Sequence, residues 1–373
     1  MHFFFMDSAA VAYDPRTPGE RAIGGTQAAV AYLTAALARK GARVTLFNNA
    51  TQEKLVDGVH VLPPSPAVGH LAQDADIFVV VGMPAGRQIR AGLNPRGPMV
   101  LWCHLAAEQP MMHPLQIAAE QGAWDRLVMV SQWHRDNFSE ALKIDPAKMT
   151  VIGNAIAPFF SSIDPGPAWF ETGAAPTLIY SSLPYRGLQV LLDIFPTIRA
   201  SVPDARLKVF SGMSIYASHQ GPDEYRFLYE LARALPGSDY CGVVGQAKLA
   251  AEMIGAAALA YPATLPETAC ISLMEAMALG ALPLTTPLGA LAETAAGFGG
   301  QTPAGLSSFN LLYGFADLVI DALKNARANP ARAAETRRKQ IAFARETYSW
   351  DRRADEWIAF AKDLIGSRSP IKS

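Results

Sequence analysis

Two glutamates, Glu267 and Glu275, are separated by seven intervening residues in the stretch PETACISLMEAMALGALPLTTPLGALAET. Glu267 follows the strand and loop YPATLP, and Glu275 lies on a predicted helix over Ser272–Leu279. A loop at the C-terminal end of a strand, feeding a helix N-terminus, is where α/β folds bind ligands, and free backbone N–H groups there can hold an anion. A carboxylate accepts hydrogen bonds from two vicinal hydroxyls at once, which is the chemistry of sugar or ribose recognition. Spacing alone also allows a solvated Glu267 that caps the helix and a Glu275 in a surface ion pair. Flanking Leu273, Met274, Ala276 and Met277 disfavour full exposure of Glu275.

Phosphate chemistry has two candidate positions. Tyr180-Ser181-Ser182-Leu183-Pro184-Tyr185-Arg186-Gly187-Leu188 sits where a predicted strand meets a helix. Arg186 there can grip phosphate oxygens in a bidentate way, or can be an ordinary surface residue before a helix. Gly24 and Gly25 precede another helix, and glycines let a backbone approach phosphate closely. No GxGxxG is present, so a dinucleotide site is not supported, and a lone glycine pair also makes a plain tight turn. His104 follows a strand over Met99–Cys103, where a lone histidine is often structural; His113 and His134 are weaker candidates. Asp74-Ala75-Asp76 formally fits a metal-binding DxD but precedes the strand IFVVV, where an acidic helix-to-strand turn is common. No His/Asp/Glu group has catalytic metal spacing, so no metal site is expected.

These residues need elements to hold them. The expected strands in the first half are Phe3–Met6, Val44–Asn48, His60–Leu62, Ile77–Val81, Met99–Cys103 and Leu127–Val130. A helix opens at Gly24-Gly25-Thr26-Gln27 and ends at Gly41. Near residue 153 the texture changes, and SSIDPGPAWFETGAAP reads as an interdomain linker over 161–175. A second βα series follows, with strands at Thr177–Tyr180, Leu207–Ser211, Tyr240–Val244, Ala258–Tyr261 and Leu282–Thr285. Its helices fall at Leu188–Ala200 and Glu224–Ala234, and a last helix runs over Trp350–Ile365. The rhythm predicts parallel sheets covered on both faces, in two similar folds.

Composition agrees with two domains. The chain has 373 residues, half of them hydrophobic and 17% charged, with a formal net charge of −1. That balance gives no basic surface for nucleic acid. Cys103, Cys241 and Cys270 include no CxxC pair and are odd in number, so buried thiols in a reducing cytoplasm are expected. The start MHFFFMDSAAVAY lacks a signal-peptide pattern, and the longest apolar runs, such as Ile254–Ala260, are far too short to span a bilayer.

With these motifs in place, the chain resembles glycosyltransferase family 4, of the type called GT-B. The family's E-x7-E element stands as Glu267-Thr268-Ala269-Cys270-Ile271-Ser272-Leu273-Met274-Glu275-Ala276-Met277-Ala278-Leu279-Gly280. Ile23-Gly24-Gly25-Thr26-Gln27 is similar to the family's first loop. Val130-Ser131-Gln132-Trp133 and Val151-Ile152-Gly153-Asn154-Ala155 resemble the end of its first domain. Gly289-Ala290-Leu291-Ala292-Glu293 resembles its Gly-Gly-x-x-Glu element, and Tyr348-Ser349-Trp350-Asp351 the start of a last helix that returns to the first domain. The resemblance covers essentially the whole chain. It implies two Rossmann-like domains facing across a cleft. The first spans 1–160, completed by 350–373, and lies on the acceptor side; the second spans 176–349, on the nucleotide-sugar side.

The activity implied is retaining, metal-independent sugar transfer from a nucleotide sugar, which is a substrate, so no cofactor is called for. The acceptor hydroxyl would belong to a glycan, a lipid-linked molecule or a small molecule. The expected setting is the cytoplasm, with peripheral attachment at the inner face of a membrane as an option and no nucleic acid partner. By resemblance Glu267, His104 and Arg186 are catalytic. Glu275, Ser181, Ser182, Arg186, Gly212, Gly245, Lys248, Thr268, Ala269, Cys270 and Ile271 bind the donor, and Gly24, Gly25 and Thr26 form a phosphate or acceptor loop. The chain departs from the family in one respect: the upstream arginine that shares the diphosphate is replaced by Ser181, and Lys248 is a candidate to compensate. An inverting transferase or epimerase with His104 as general base, and an inactive glycan-binding relative, are the alternatives.

Overall fold

Phe3, Phe4 and Phe5 are fully buried, as are all five residues of Ile77–Val81. Strands this apolar on both faces need cover above and below, which parallel sheets receive from their crossover helices. The computed structural model describes residues 1–215, 223–305 and 308–368. They form two sheets.

The first sheet comprises β1 (His2–Asp7), β2 (Arg43–Phe47), β3 (Lys54–Val56), β4 (Val59–Leu62), β5 (Ile77–Val81), β6 (Met99–Trp102), β7 (Arg126–Met129) and β8 (Met149–Val151). Its order is β3-β4-β2-β1-β5-β6-β7-β8. Every pairing is parallel except β3 with β4. Those two are joined by Asp57-Gly58, both at positive φ (51° and 81°), as a two-residue hairpin turn requires. The second sheet comprises β9 (Thr177–Ser181), β10 (Arg206–Phe210), β11 (Ser238–Tyr240), β12 (Ala258–Tyr261), β13 (Leu282–Thr285) and β14 (Gly300–Gln301). Its order is β11-β10-β9-β12-β13-β14, all parallel. In both sheets the strand order reverses beside the first strand, between β1 and β5 and between β9 and β12. Such switch points open a crevice at the strands' C-terminal ends.

The chain divides into two compact units. One holds 1–18, 24–155 and the segment from Ser349 onward; the other holds 19–23 and 156–348. In the first unit, helix Trp350–Arg368 packs on helix Gly25–Arg39. Arg39 and Lys40 pair with Asp351 and Asp355, each at 2.7 Å, and the buried Trp357 ring lies 5.3 Å from that of Trp102. Residues 369–373 of the expected last element lie outside the described residues. No helix among the described residues is long and apolar enough to cross a membrane.

Several elements differ from expectation. The strand predicted over Tyr240–Val244 is Ser238–Tyr240, because the chain turns at Gly242 with φ +70° and leaves the sheet. The Pro- and Gly-rich stretch 161–175 does not stand apart: it lies in the second unit, with short helix Trp169–Thr172 and a buried Trp169 under the Arg327 guanidinium. All three cysteines are free thiols, with Cys103 and Cys270 buried. Asp76 accepts from the backbone N–H of His2 at 2.7 Å and Asp74 ends helix Ala67–Gln73, so Asp74-Ala75-Asp76 forms a helix-to-strand turn.

Candidate donor site

The second sheet's switch point brings together the loop after β9 and the loop after β12. The first loop is folded by its own side chains. The Tyr180 hydroxyl donates to the Leu183 carbonyl at 2.8 Å, and Pro184–Arg186 makes one tight 3-10 turn. Gly187 then reverses the chain at φ +121°, where an added Cβ would lie 2.1 Å from the Pro262 carbonyl oxygen. Only glycine fits there. That close approach sets Arg186 beside β12, and its Nη1 donates to Glu267 Oε1 at 2.7 Å.

Glu267 is held from three directions. The Tyr261 hydroxyl, at the end of β12, makes a very short hydrogen bond to the same Oε1. The Glu267 carbonyl accepts from Ala290 N–H at 2.7 Å. Glu267 also bridges to Gly289, where φ is +67° and a Cβ would meet Glu267 backbone oxygen at 2.3 Å. The Gly289-Ala290 element therefore earns its glycine by seating the Glu267 loop. The Arg186 and Glu267 side chains are only 20% and 13% exposed, so their pairing is largely desolvated and not the solvated carboxylate that spacing also allowed. Burial works against the Arg186 charge, but Glu267 outweighs it and holds the guanidinium firmly protonated. Burial, and next Glu267, push the Tyr261 phenol well above its ordinary range, so it stays a neutral donor.

Glu275 is 2% exposed on helix Ile271–Ala278, not in a surface pair. Burial raises its carboxyl to about 8, against the backbone of Ala157 and the side chain of Gln246, whose Nε2 donates to Oε1 at 2.7 Å. Between the glutamates, Thr268 and Ala269 are half-buried. Cys270 is the buried residue before Ile271 and makes no side-chain cap at that helix start.

The remaining donor candidates fall around the same sheet end. Ser181 closes β9, and Ser182 Oγ lies 3.2 Å from the Tyr261 hydroxyl. Gly212 follows β10, in contact range of Val243, and Gly245 precedes helix Gln246–Met253. Lys248 is exposed on that helix. Sequence reasoning missed Tyr261 and Gln246. Each had a faint signal: a tyrosine closing a buried strand just before the Glu267 loop, and an amide directly after Gly245.

The other candidates lie in the first unit. Gly24 precedes helix Gly25–Arg39, with Gly25 exposed and Thr26 half-buried. Gln27 donates to Asp7 at 3.1 Å, and Asp7, buried at the end of β1, also takes the Tyr13 hydroxyl at 2.6 Å. His104 is buried against Trp102, with ring centroids 4.6 Å apart. Burial, and next the neighbouring His134, lower its pKa to about 3, with an Asn154 hydrogen bond opposing. The His134 backbone N–H donates to the N-cap Ser131 Oγ at 3.0 Å and its ring Nε2 lies 2.8 Å from the Leu105 carbonyl, a structural role, while His113 is exposed.

Known proteins share sequence patterns and the fold with this chain. The family model described as Glycosyltransferase Family 4 matches residues 23–158, and that described as Glycosyl transferases group 1 matches residues 177–340. No curated protein matches the chain. Among solved structures, sucrose-phosphate synthase from Thermosynechococcus elongatus superposes with a TM-score of 0.72 at 14% identity, covering 98% of this chain and 100% of that one. A glycosyltransferase from Rickettsia africae gives 0.71 at 13% identity, covering 98% of each chain. Anabaena HepE, solved in complex with UDP-glucose, gives 0.64 at 15% identity, covering 96% of this chain and 100% of that one. These solved structures share the fold of two Rossmann-like domains.

Proposed function

We infer the function from the family to which the chain belongs, the family 4 glycosyltransferases: retaining transfer of a sugar from a nucleotide-sugar donor to an acceptor hydroxyl, in glycan, polysaccharide or glycoconjugate synthesis. One observation carries the donor-site reading: Arg186 and Glu267 meet at 2.7 Å at the switch point of the second sheet. A cation for phosphate and a carboxylate for sugar hydroxyls thus share one locus. A guanidinium has five donors, so its bond to Glu267 leaves others for a diphosphate. Glu275, buried about one turn into helix Ile271–Ala278, is the candidate for the donor ribose.

In this reading the bond from the sugar's C1 to the diphosphate oxygen breaks, and the acceptor oxygen bonds to C1 on the same face. The acceptor proton passes to the leaving phosphate. The protein contributes position and charge stabilisation, not a nucleophile. No cofactor enters, and Arg186 takes the role of cation at the phosphates. The base-dependent alternative needs a group that binds a proton near neutral pH, and His104, at about 3, is a poor match. A cytoplasmic setting fits a nucleotide-sugar substrate, with peripheral attachment at the inner membrane face if the acceptor is lipid-linked.

HepE's complex with UDP-glucose makes a UDP-sugar the first donor to try. The test is calorimetry with UDP, GDP and ADP in EDTA, joined to hydrolysis assays with UDP-glucose, GDP-mannose and ADP-glucose. Metal-free binding of one nucleoside diphosphate and release of a sugar with retained anomeric configuration are expected. Binding that needs Mg²⁺ or Mn²⁺, or an inverted product, contradicts the reading.

A further inference from the structure

We propose that Tyr261 is a positioning residue that holds Glu267 in register for the donor sugar; the proposal rests on the reading of Glu267 given above. Two donors converge on one carboxylate oxygen. Arg186 Nη1 and the Tyr261 hydroxyl both bond to Glu267 Oε1, and among the described residues no hydrogen bond engages Oε2. One oxygen is anchored and the other is left to accept a hydroxyl.

The two anchors differ in what a donor does to them. A diphosphate attracts the Arg186 guanidinium, because charge-assisted contacts to phosphate compete with the carboxylate for the same donors. The Tyr261 phenol carries no charge, and burial with the neighbouring carboxylate keeps it neutral. It is 1% exposed at the end of β12, and its ring packs edge-on against Tyr180 at 5.9 Å. Its hydroxyl also lies 3.2 Å from Ser182 Oγ, on the strand-end loop beside it. Sheet geometry thus fixes this anchor at the end of β12, whereas Arg186 lies on the Pro184–Arg186 turn after β9. Tyr261 keeps Glu267 in place at the stage when Arg186 engages phosphate.

Three variants test this, using the full chain and the sugar nucleotide hydrolysed in the assay above: Tyr261→Phe, Glu267→Gln and the double variant. Two quantities are measured, affinity for the product nucleoside diphosphate and single-turnover rate at saturating donor. Tyr261→Phe keeps the ring and its packing; a thermal melt checks that it folds as the parent does. The expected result is product affinity within about twofold of the parent and a rate lowered about tenfold or more, the scale of losing a hydrogen bond to a charged group. If Tyr261 acts through Glu267, its substitution changes the rate less than about twofold in the Glu267→Gln background. A multiplicative double variant, or a parental rate in Tyr261→Phe while Glu267→Gln is slow, overturns the proposal and leaves the site reading standing. A parental rate in Glu267→Gln overturns both. Should Tyr261→Phe melt early, all rates are taken below its transition, and Val319→Ala, a buried position of helix Ser308–Ala328 with no part in the site, gives a control that is destabilised with Tyr261 intact. A near-parental rate in that control is expected; a tenfold loss there assigns the effect to lowered stability and overturns the proposal.

Discussion

In the proposed reading Arg186 serves the phosphates and Glu267 and Glu275 the hydroxyls of the donor, so substitutions should separate their roles. Arg186→Ala is expected to weaken nucleoside diphosphate binding tenfold to a hundredfold, about 1.5–3 kcal/mol, and to leave nucleoside binding nearly unchanged. Titration of both ligands by calorimetry checks this, and equal losses would detach Arg186 from the phosphates. Glu275→Gln should weaken binding of the free nucleotide as well as the donor. Glu267→Gln should leave nucleotide affinity nearly intact and lower turnover, since only contacts that strengthen as the sugar gains positive charge speed the chemical step. Product affinity and single-turnover rate on each variant decide it; lost nucleotide affinity with normal saturated turnover in Glu267→Gln would reverse the assignment.

At the scale of elements, the site depends on loops whose glycines are fixed by close approach. Gly187 sits at φ +121° with the Pro262 carbonyl 2.1 Å from where a Cβ would be. Gly187→Ala has to displace either the Arg186 turn or the end of β12, so the expected cost is about 1–3 kcal/mol, with a drop in nucleoside diphosphate affinity. Gly92, in helix Gly86–Leu93, has ordinary φ and nothing within 4 Å of an added Cβ. Gly92→Ala should therefore stabilise by about 0.5–1 kcal/mol and leave ligand affinity alone. Chemical denaturation of both variants, with a binding titration on each, makes the comparison. A benign Gly187→Ala would show that the loop does not need this approach.

For the whole molecule, the two units carry buried titratable groups of opposite sign. In the first, burial holds His104 at about 3 and His134 at about 4, both below the ordinary 6.5. The unfolded chain takes up protons at these positions first, so that stability is present above about pH 6.5 and is lost as pH falls towards 4 and 3. In the second, Glu275 at about 8 stands above its ordinary 4.5. There the folded state binds the extra proton, so the contribution is fully present below about pH 4.5 and is lost as pH rises through 8. Scanning calorimetry from pH 4.5 to 9 should show one transition that weakens towards acid and one that weakens towards base. Glu275→Gln should flatten the alkaline trend without touching the acid one; an unchanged alkaline slope would place its origin elsewhere.

The sequence alone determined the class of fold and the identity of the chemical groups. Apolar runs such as IFVVV and the helical spacing after Gly24-Gly25 are local, and local patterns of burial and period are what a parallel α/β fold requires. The E-x7-E spacing likewise put one glutamate on a loop and one on a helix, where the structure has them. What the sequence left open was which groups meet. Whether Glu267 was solvated or paired depended on Arg186, 81 residues away, and on Tyr261, joined to it only through adjacent strands β9 and β12. Whether Glu275 was exposed or buried depended on Gln246 and the chain near Ala157. The stretch 161–175 looked like a linker because its proline and glycine content is a local signal, while the burial of Trp169 is a tertiary one. Composition and period act along the chain, but charge pairing and desolvation act through space, and only the strand order decides which distant residues share that space.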